Sequence, residues 1–195
     1  MNLDEFEAPD LSDAGFFPER YLEGAPSDGR MKGVLFNDLE RLVGPGQLGA
    51  SARERYVAFK DYSTAEWCRV LHDAAKRAYP RMATRAALHR LGLRAYEAFG
   101  ASTAGRVMFA MTGRDLGAIY RMAPRIVGMV HRGPVLEIES LGEGLMVLRA
   151  RNIWDFPDCY SIGVWRSPAV SFGERCEVRI RRYSICDMDY LLDFR

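Results

Sequence analysis

The first half of the chain shows the three- and four-residue apolar spacing of amphipathic helices. In residues 31–43 apolar positions follow this spacing, and Asp38, Glu40 and Arg41 are predicted to face outward. Gly44-Pro45-Gly46 ends the pattern, since such a turn cannot continue a helix. Further helices are predicted over residues 50–58, 65–78, 84–99, 104–111 and 115–124.

The pattern changes after Pro134 to the period-two alternation of half-buried strands. Gly142-Glu143-Gly144 is suited to a hairpin turn, and residues 155–165 are compatible with either a loop or a helix. Strands are predicted over residues 134–140, 145–151, 176–183 and 189–194. Helices followed by mostly antiparallel strands predict an α+β fold, with helices packed on a small antiparallel sheet.

Residues 1–30 differ from the rest in composition. They contain eight acidic residues and two arginines, a net charge of −6, so the remaining 165 residues sum to +7. Scattered Pro and Gly predict a mostly extended arm with one short docked turn, pinned by Phe16, Phe17 and Tyr21. We interpret the arm as a solvated tail. The alternative is that it lies on the basic body or on a basic partner. Residues 31–195 are predicted to form a single α+β domain.

Overall composition excludes several classes of partner. The formal net charge is +1, so nothing global recruits nucleic acid or an anionic membrane. No apolar run approaches the ~20 residues that span a bilayer. The four cysteines form no Cys-x-x-Cys pair of the kind zinc sites use. The acidic N-terminus is unlike a signal peptide. We expect a cytoplasmic protein with reduced thiols and no metal site.

No motif identifies a reaction. Gly-x-Ser-x-Gly and the common phosphate-binding glycine motifs are absent. His72 and His89 lie in predicted amphipathic helices and are interpreted as boundary residues. His131 precedes the helix-to-sheet junction, a better position for a pocket, but no Cys, Asp or Glu partner is evident in the sequence. We therefore assign no catalytic residue.

Soft apolar and aromatic side chains concentrate around the predicted helix–sheet junction. Methionine adapts to irregular spaces, and such groups can line a pocket for an apolar ligand. Ordinary core packing is the alternative. The candidate pocket residues are Met108, Tyr120, Met129, His131, Trp154 and Trp165.

A candidate interaction surface consists of arginines on the predicted strands. If the strands are neighbours, the outward side chains form a basic patch suited to carboxylates. An acidic protein partner, a second copy of the chain or the acidic arm would fit it; a solvated sheet face is the alternative. The residues are Arg149, Arg151, Arg179 and Arg181.

Three segments carry a resemblance to a known family. They are Met31-Lys-Gly-Val-Leu-Phe-Asn37, Ala87-Leu-His-Arg-Leu-Gly-Leu-Arg-Ala-Tyr96 and Thr103-Ala-Gly-Arg106. With the element order that follows, they resemble a paralogous family of small uncharacterised proteins abundant in myxobacteria. More distantly, the chain is similar to the haem-nitric-oxide/oxygen-binding (H-NOX) domain, whose superfamily includes vinyl-reductase-type domains and vesicle-tether subunits. This resemblance implies a cavity between the helices and one face of the sheet.

The same resemblance provides a test for haem. The haem domains bind iron through a histidine in the helix after the Leu-Gly helix, and bind propionates with a Tyr-x-Ser-x-Arg motif. Here residues 114–123 contain no histidine, and residues 149–154 lack that motif. Iron needs an axial donor, and Tyr120 is interpreted as a packing residue. We therefore expect no haem and no other cofactor.

The function that these observations favour is a non-catalytic small-ligand-binding or sensory domain of unknown ligand, which regulates a partner. The alternative is a protein-interaction or scaffold module with a filled core. An enzyme is a third alternative, because the sequence shows no nucleophile–base pair or metal cluster.

Overall fold

A computed structural model describes residues 2–195, apart from the side chains at positions 103, 104, 107, 108 and 111. After a short 3-10 turn at Leu3–Glu5, eight helices follow in the described chain. They are α1 (Glu19–Gly24), α2 (Gly33–Val43), α3 (Thr64–Ala78), α4 (Thr84–Gly92), α5 (Ala95–Ala101), α6 (Thr103–Thr112), α7 (Leu116–Val130) and α8 (Tyr160–Phe172).

The strands form two antiparallel sheets. The small sheet has the order β2-β1-β3, and the larger sheet has the order β4-β5-β7-β6. The strands are β1 (Arg30–Lys32), β2 (Asp61–Ser63), β3 (His131–Arg132), β4 (Val135–Gly142), β5 (Leu145–Arg151), β6 (Glu177–Arg182) and β7 (Met188–Asp193). The α+β fold predicted from the sequence is confirmed, including the hairpin of β4 and β5.

The core lies in two main layers that α8 joins. The first layer packs α2, α3 and α4 around side chains such as Phe36, Trp67 and Leu88. In the second, α7 and α8 cover the inner face of the larger sheet, where Tyr120 and Trp165 meet the strand side chains. Every second residue of β5, β6 and β7 supplies that face, as the period-two pattern requires.

Helices α4 and α8 cross at two glycines in close backbone contact. A Cβ added at Gly92 would lie 2.2 Å from the Tyr160 carbonyl oxygen, and one added at Gly163 would lie 2.3 Å from the His89 carbonyl oxygen. Only glycine, which has no Cβ, permits the two backbones to approach so closely. The prediction of one helix over 84–99 is therefore corrected: the chain bends at Leu93 and Arg94, and α5 starts anew at Ala95.

Two other helix predictions also need correction. Residues 50–58 form turns instead of a helix, because Tyr56 turns inward to stack on Phe36 and the Arg53 guanidinium pairs with Glu66 at 2.6 Å. Helix α7 continues past Pro124 to Val130. Proline removes one backbone donor, but Val127 beyond it still packs on the second layer of the core.

The N-terminal arm packs on the body, contrary to the interpretation as a solvated tail. Phe6 is only 4% exposed and covers Val147 and Leu191 on the outer face of the larger sheet. The Glu7 backbone exchanges two hydrogen bonds of 2.8 Å with Ile180 on the edge strand β6. Tyr21 is buried as predicted, whereas Phe17 is 57% exposed and does not pin the arm.

The arm also caps a helix that lacks a cap of its own. Ala83 at the N-terminus of α4 has no side-chain oxygen, so the first amides of that helix need another acceptor. The Asp13 carboxylate accepts from the Thr84 N–H at 2.7 Å and from the Arg85 N–H at 2.9 Å. Asp13, which lies 71 positions before Thr84, therefore acts as the N-cap of α4.

The close contact at the glycine crossing predicts that a single added methyl group will destabilise the protein. Gly163→Ala should lower the free energy of unfolding by about 1–3 kcal/mol, because the new Cβ meets a backbone oxygen that cannot rotate away. The matched control is Gly128→Ala on α7, where nothing lies within 4 Å; it should gain roughly 0.5–1 kcal/mol. Urea unfolding of both variants is the measurement. Equal stabilities would contradict the crossing.

The remote cap predicts a difference between two substitutions at one position. Asp13→Ala should destabilise the protein by about 1 kcal/mol, because two amides of α4 lose their acceptor. Asp13→Asn should lose about half as much, since its one amide oxygen can still accept from one of the two N–H groups that the two carboxylate oxygens bind. Thermal unfolding of the two variants measures the difference. Equal losses would mean that the carboxylate charge, and not the cap, matters.

Candidate functional site

A cavity of about 190 Å³ lies among the helices. Helices α2, α5, α7 and α8 supply most of its wall, and the small sheet supplies Met31 and His131. Among the described side chains, none of the lining residues comes from the larger sheet. This corrects the expectation of a cavity against that sheet: Tyr120, Ile162 and Trp165 pack directly on its inner face and fill the space.

Most of the cavity wall is apolar. Leu35, Leu39 and Leu42 project from α2 at helical spacing, and α7 presents a matching stripe on the other side. An apolar cavity of about this size is known to accept molecules of the size of benzene. The lining from α7 consists of Ile119, Tyr120, Ala123, Ile126, Val127 and Val130.

Asp38 brings a carboxyl group into the α2 stripe. Its exposed fraction is 6%, and its Oδ1 accepts from the Arg41 Nη1 at 2.5 Å. Its Oδ2 is buried without a hydrogen-bond partner. Burial raises the pKa of Asp38 to about 6, although the Arg41 guanidinium acts in the opposite direction. The prediction that Asp38 faces outward is therefore wrong.

Asp155 brings a second carboxyl group from the loop between β5 and α8. Its Oδ1 is buried without a partner, and burial raises the pKa of Asp155 to about 6. The Trp67 indole N–H is near enough to lower that pKa slightly but makes no hydrogen bond of normal geometry. Asn152 and Phe156 flank Asp155 with φ of 59° and 53°. A left-handed Phe is uncommon, so the fold holds this loop in a strained shape.

Tyr160 is close to both carboxyl groups. Burial raises the pKa of its hydroxyl, and the charges of Asp155 and then Asp38 raise it further. The ring lies edge-on to Trp67, with 6.4 Å between the centroids. The hydroxyl therefore stays protonated at neutral pH and can donate a hydrogen bond.

His131 is buried at the end of the cavity nearest the small sheet. Strand β3 pairs it with Met31 of β1, and its Nε2 lies 3.5 Å from the Thr64 Oγ1. Burial lowers the pKa of His131 to about 3, so the ring is neutral. It offers the cavity a neutral polar group and no charge.

The structure places three of the six candidate pocket residues, Tyr120, His131 and Trp165, in the cavity wall. The Tyr120 hydroxyl donates to the Trp165 carbonyl oxygen at 2.7 Å. Met129 is 48% exposed, because it lies on the opposite side of α7 from the lining stripe. The Trp154 ring instead packs on Gly24 of α1. The side chain of Met108 is outside the described residues.

Sequence reasoning missed both carboxyl groups. The signal for Asp38 was available, since it occupies the i+3 position of the stripe formed by Leu35, Leu39 and Leu42. An acidic residue on an apolar helix face is a buried carboxyl candidate. For Asp155 no such pattern exists, because its position depends on the backbone of an irregular loop.

Each of the four candidate surface arginines is ion-paired to a carboxylate. Arg149 pairs with Glu139, and Arg179 lies 3.8 Å from Glu177. Arg151 and Arg181 both lie 2.8 Å from the buried Asp189, and Arg181 also pairs with Glu5 of the arm. The predicted basic patch is therefore a network neutralised by carboxylates of the same chain. The arm, one of the occupants considered, supplies part of it.

Within residues 2–195 no cluster of three His, Cys, Asp or Glu side chains is arranged to hold a metal ion. No helix in the described part of the chain is long and apolar enough to cross a membrane.

Comparison with known families identifies the chain. A family model described as "protein of unknown function (DUF2378)" matches residues 27–193. The chain belongs to this family. No curated protein matches it.

Solved structures show where this DUF2378 member stands among known folds. An unliganded Fe(II) H-NOX protein from K. algicida is 13% identical with a TM-score of 0.62, covering 85% of this chain and 97% of that one. The Fe(II)NO form of an H-NOX protein from S. oneidensis is 16% identical with a TM-score of 0.63, covering 85% and 99%. An oxygen-binding H-NOX domain related to soluble guanylate cyclases is 13% identical with a TM-score of 0.64, covering 84% and 92%. These confirm the H-NOX fold that the motifs implied.

The buried carboxyl of Asp155 predicts an unusual pH dependence. An unfolded Asp has a pKa of about 4, so the folded state binds this proton more tightly. Stability then falls as pH rises from about 4 to about 6, and the penalty is complete above that range. Asp155→Asn removes it and should raise the free energy of unfolding at pH 7.5 by on the order of 2 kcal/mol, with little change at pH 4.

The measurement is urea unfolding of wild type and Asp155→Asn at both pH values. The matched control is Asp28→Asn, an exposed position, which should change stability by less than about 0.5 kcal/mol at either pH. A loss of stability for Asp155→Asn at pH 7.5 would show that the carboxylate is well paired and not an uncompensated charge.

Proposed function

We propose that this protein is a non-catalytic sensory domain that binds a small organic molecule in the cavity. The observation that carries the proposal is the cavity itself: about 190 Å³, mostly apolar walls, and a few convergent polar groups. Proteins pack their interiors densely and leave few such spaces. A scaffold module with a filled core would have no use for one, so that alternative is not favoured.

Helix α7 is the element best placed to report that the cavity is occupied. It contributes six lining residues and runs directly into β3, which pairs with β1. A ligand that contacts α7 stabilises the packing in which this helix closes the cavity. Ligand at one hundred times its dissociation constant would add about 2.7 kcal/mol to that packing. A partner that contacts the exposed side of α7 would then read the change.

Haem fits these residues poorly. Some similar H-NOX structures are Fe(II) forms, and one concerns heme distortion in that family. In this chain the cavity side of α7 carries no histidine, and the Tyr120 hydroxyl is engaged by Trp165. The one histidine in the described lining, His131, points its Nε2 toward Thr64. The described lining contains no Lys or Arg to pair with propionates, and a tetrapyrrole is several times larger than benzene. These features support a smaller ligand.

Filling the cavity should abolish binding without unfolding the protein. Ala123 lines the cavity, and Ala123→Leu would occupy part of the space. Ala118→Leu, on the same helix but outside the lining, is the matched control. Toluene should shift the thermal midpoint of wild type and Ala118→Leu upward and leave Ala123→Leu unchanged. Native mass spectrometry of purified wild type should also show a retained small molecule. No toluene shift and no retained mass in wild type would refute the proposal.

A further inference from the structure

The polar groups of the cavity are unbalanced in charge. Asp38 and Asp155 bring two carboxyl groups, and each has one buried oxygen without a hydrogen-bond partner. Arg41 pairs with the other oxygen of Asp38, but its side chain is half-exposed and is not part of the wall. His131 lies too deep in an uncharged environment to act as a counter-ion. Within the described lining, acceptors are in excess and no cation is present.

We propose that the ligand of this cavity is a small organic ammonium ion with an apolar body. The inference rests on the proposed function and names the ligand class for the same site. Buried carboxylates are costly unless they are paired and hydrogen-bonded. A protonated amine brings the missing positive charge and N–H donors to both unpartnered oxygens. Its apolar body would fill the space between the α2 and α7 stripes.

The aromatic wall fits the same chemistry. Trp67 and Tyr160 both line the cavity, and their rings meet edge-to-face. Cations are attracted to aromatic ring faces, most strongly where water is excluded. The Tyr160 hydroxyl is near both carboxyl groups. Carboxylates and aromatic faces together are the usual means by which proteins bind ammonium groups.

The loop that carries Asp155 is built to hold it in place. Besides the two left-handed residues that flank it, the Asn152 N–H donates to Asp187 Oδ1 at 2.9 Å and the Ile153 N–H donates to the Cys186 carbonyl oxygen at 2.8 Å. Strained backbone of this kind persists where the surroundings over-determine it, and it is concentrated at ligand sites. The fold therefore orders a loop whose central carboxyl group has a buried Oδ1 without a hydrogen-bond partner.

The test compares a cation with its neutral counterpart. Benzylamine, benzyl alcohol and toluene are titrated into the full chain at pH 7.5 by calorimetry. Benzylamine should bind wild type about tenfold or more tightly than benzyl alcohol, because only the amine offers a charge to the carboxylates. Asp155→Asn and the Asp38→Asn/Asp155→Asn double variant should lose this preference. Asp28→Asn, which removes an exposed carboxylate of the arm, should keep it.

The outcomes separate the two proposals. The ammonium ligand would be overturned if toluene and benzyl alcohol bound as tightly as benzylamine, or if the double variant kept the preference for the amine. Either result would leave the sensory domain standing. Failure of all three probes to bind wild type would overturn the ammonium ligand, and if purified wild type also retains no small molecule, the sensory domain is overturned with it. Circular dichroism of each variant confirms that loss of binding is not loss of fold, and toluene binding to Asp155→Asn provides a second check.

Discussion

The contact between Gly92 and Gly163 sets the distance between α4 and α8, and much of the architecture depends on that distance. Helix α4 belongs to the first core layer and α8 to the second. With the two backbones in contact, the layers share one wall instead of being separate hydrophobic units. Helix α8 also lines the cavity beside this crossing, through side chains such as Val164 and Trp165. A wider spacing would leave both layers incompletely packed.

The cavity is a departure from this dense packing, and its carboxyl groups lower the stability of the fold further. Two buried acids with raised pKa values reduce stability at neutral pH. Domains tolerate such groups where they serve binding, and conflicts between local chemistry and stability tend to mark functional positions. Among the described aspartates, Asp38 and Asp155 are those whose pKa burial raises, while other buried acids have arginine partners for at least one oxygen. Asp158, for example, accepts from Arg85 at 2.9 Å and from Arg182 at 2.7 Å.

The pattern of the sequence predicts the order of elements well, because helical and strand periodicities are local properties. The register of β4 with β5, with Glu137 opposite Arg149, follows from the turn that joins them. The break after Gly92 was not predictable, since it depends on α8, which lies about 70 residues later. Asp38 could have been recognised from its position among Leu35, Leu39 and Leu42. Asp155 could not, because an irregular loop places it. Two of the candidate pocket residues, Tyr120 and Trp165, line the cavity from helices. Trp154 does not, because it lies in a loop whose course the sequence pattern does not predict.

The docking of Phe6 has a consequence for the order in which the molecule can be assembled during synthesis. Phe6 is synthesised well before the side chains that it covers, Val147 and Leu191. The ion pair between Glu5 and Arg181 joins residues 176 positions apart. The arm must therefore remain undocked until β5, β6 and β7 have been translated. Closure of the outer sheet face is a late event, and until then a nascent molecule displays an apolar patch that chaperones would recognise.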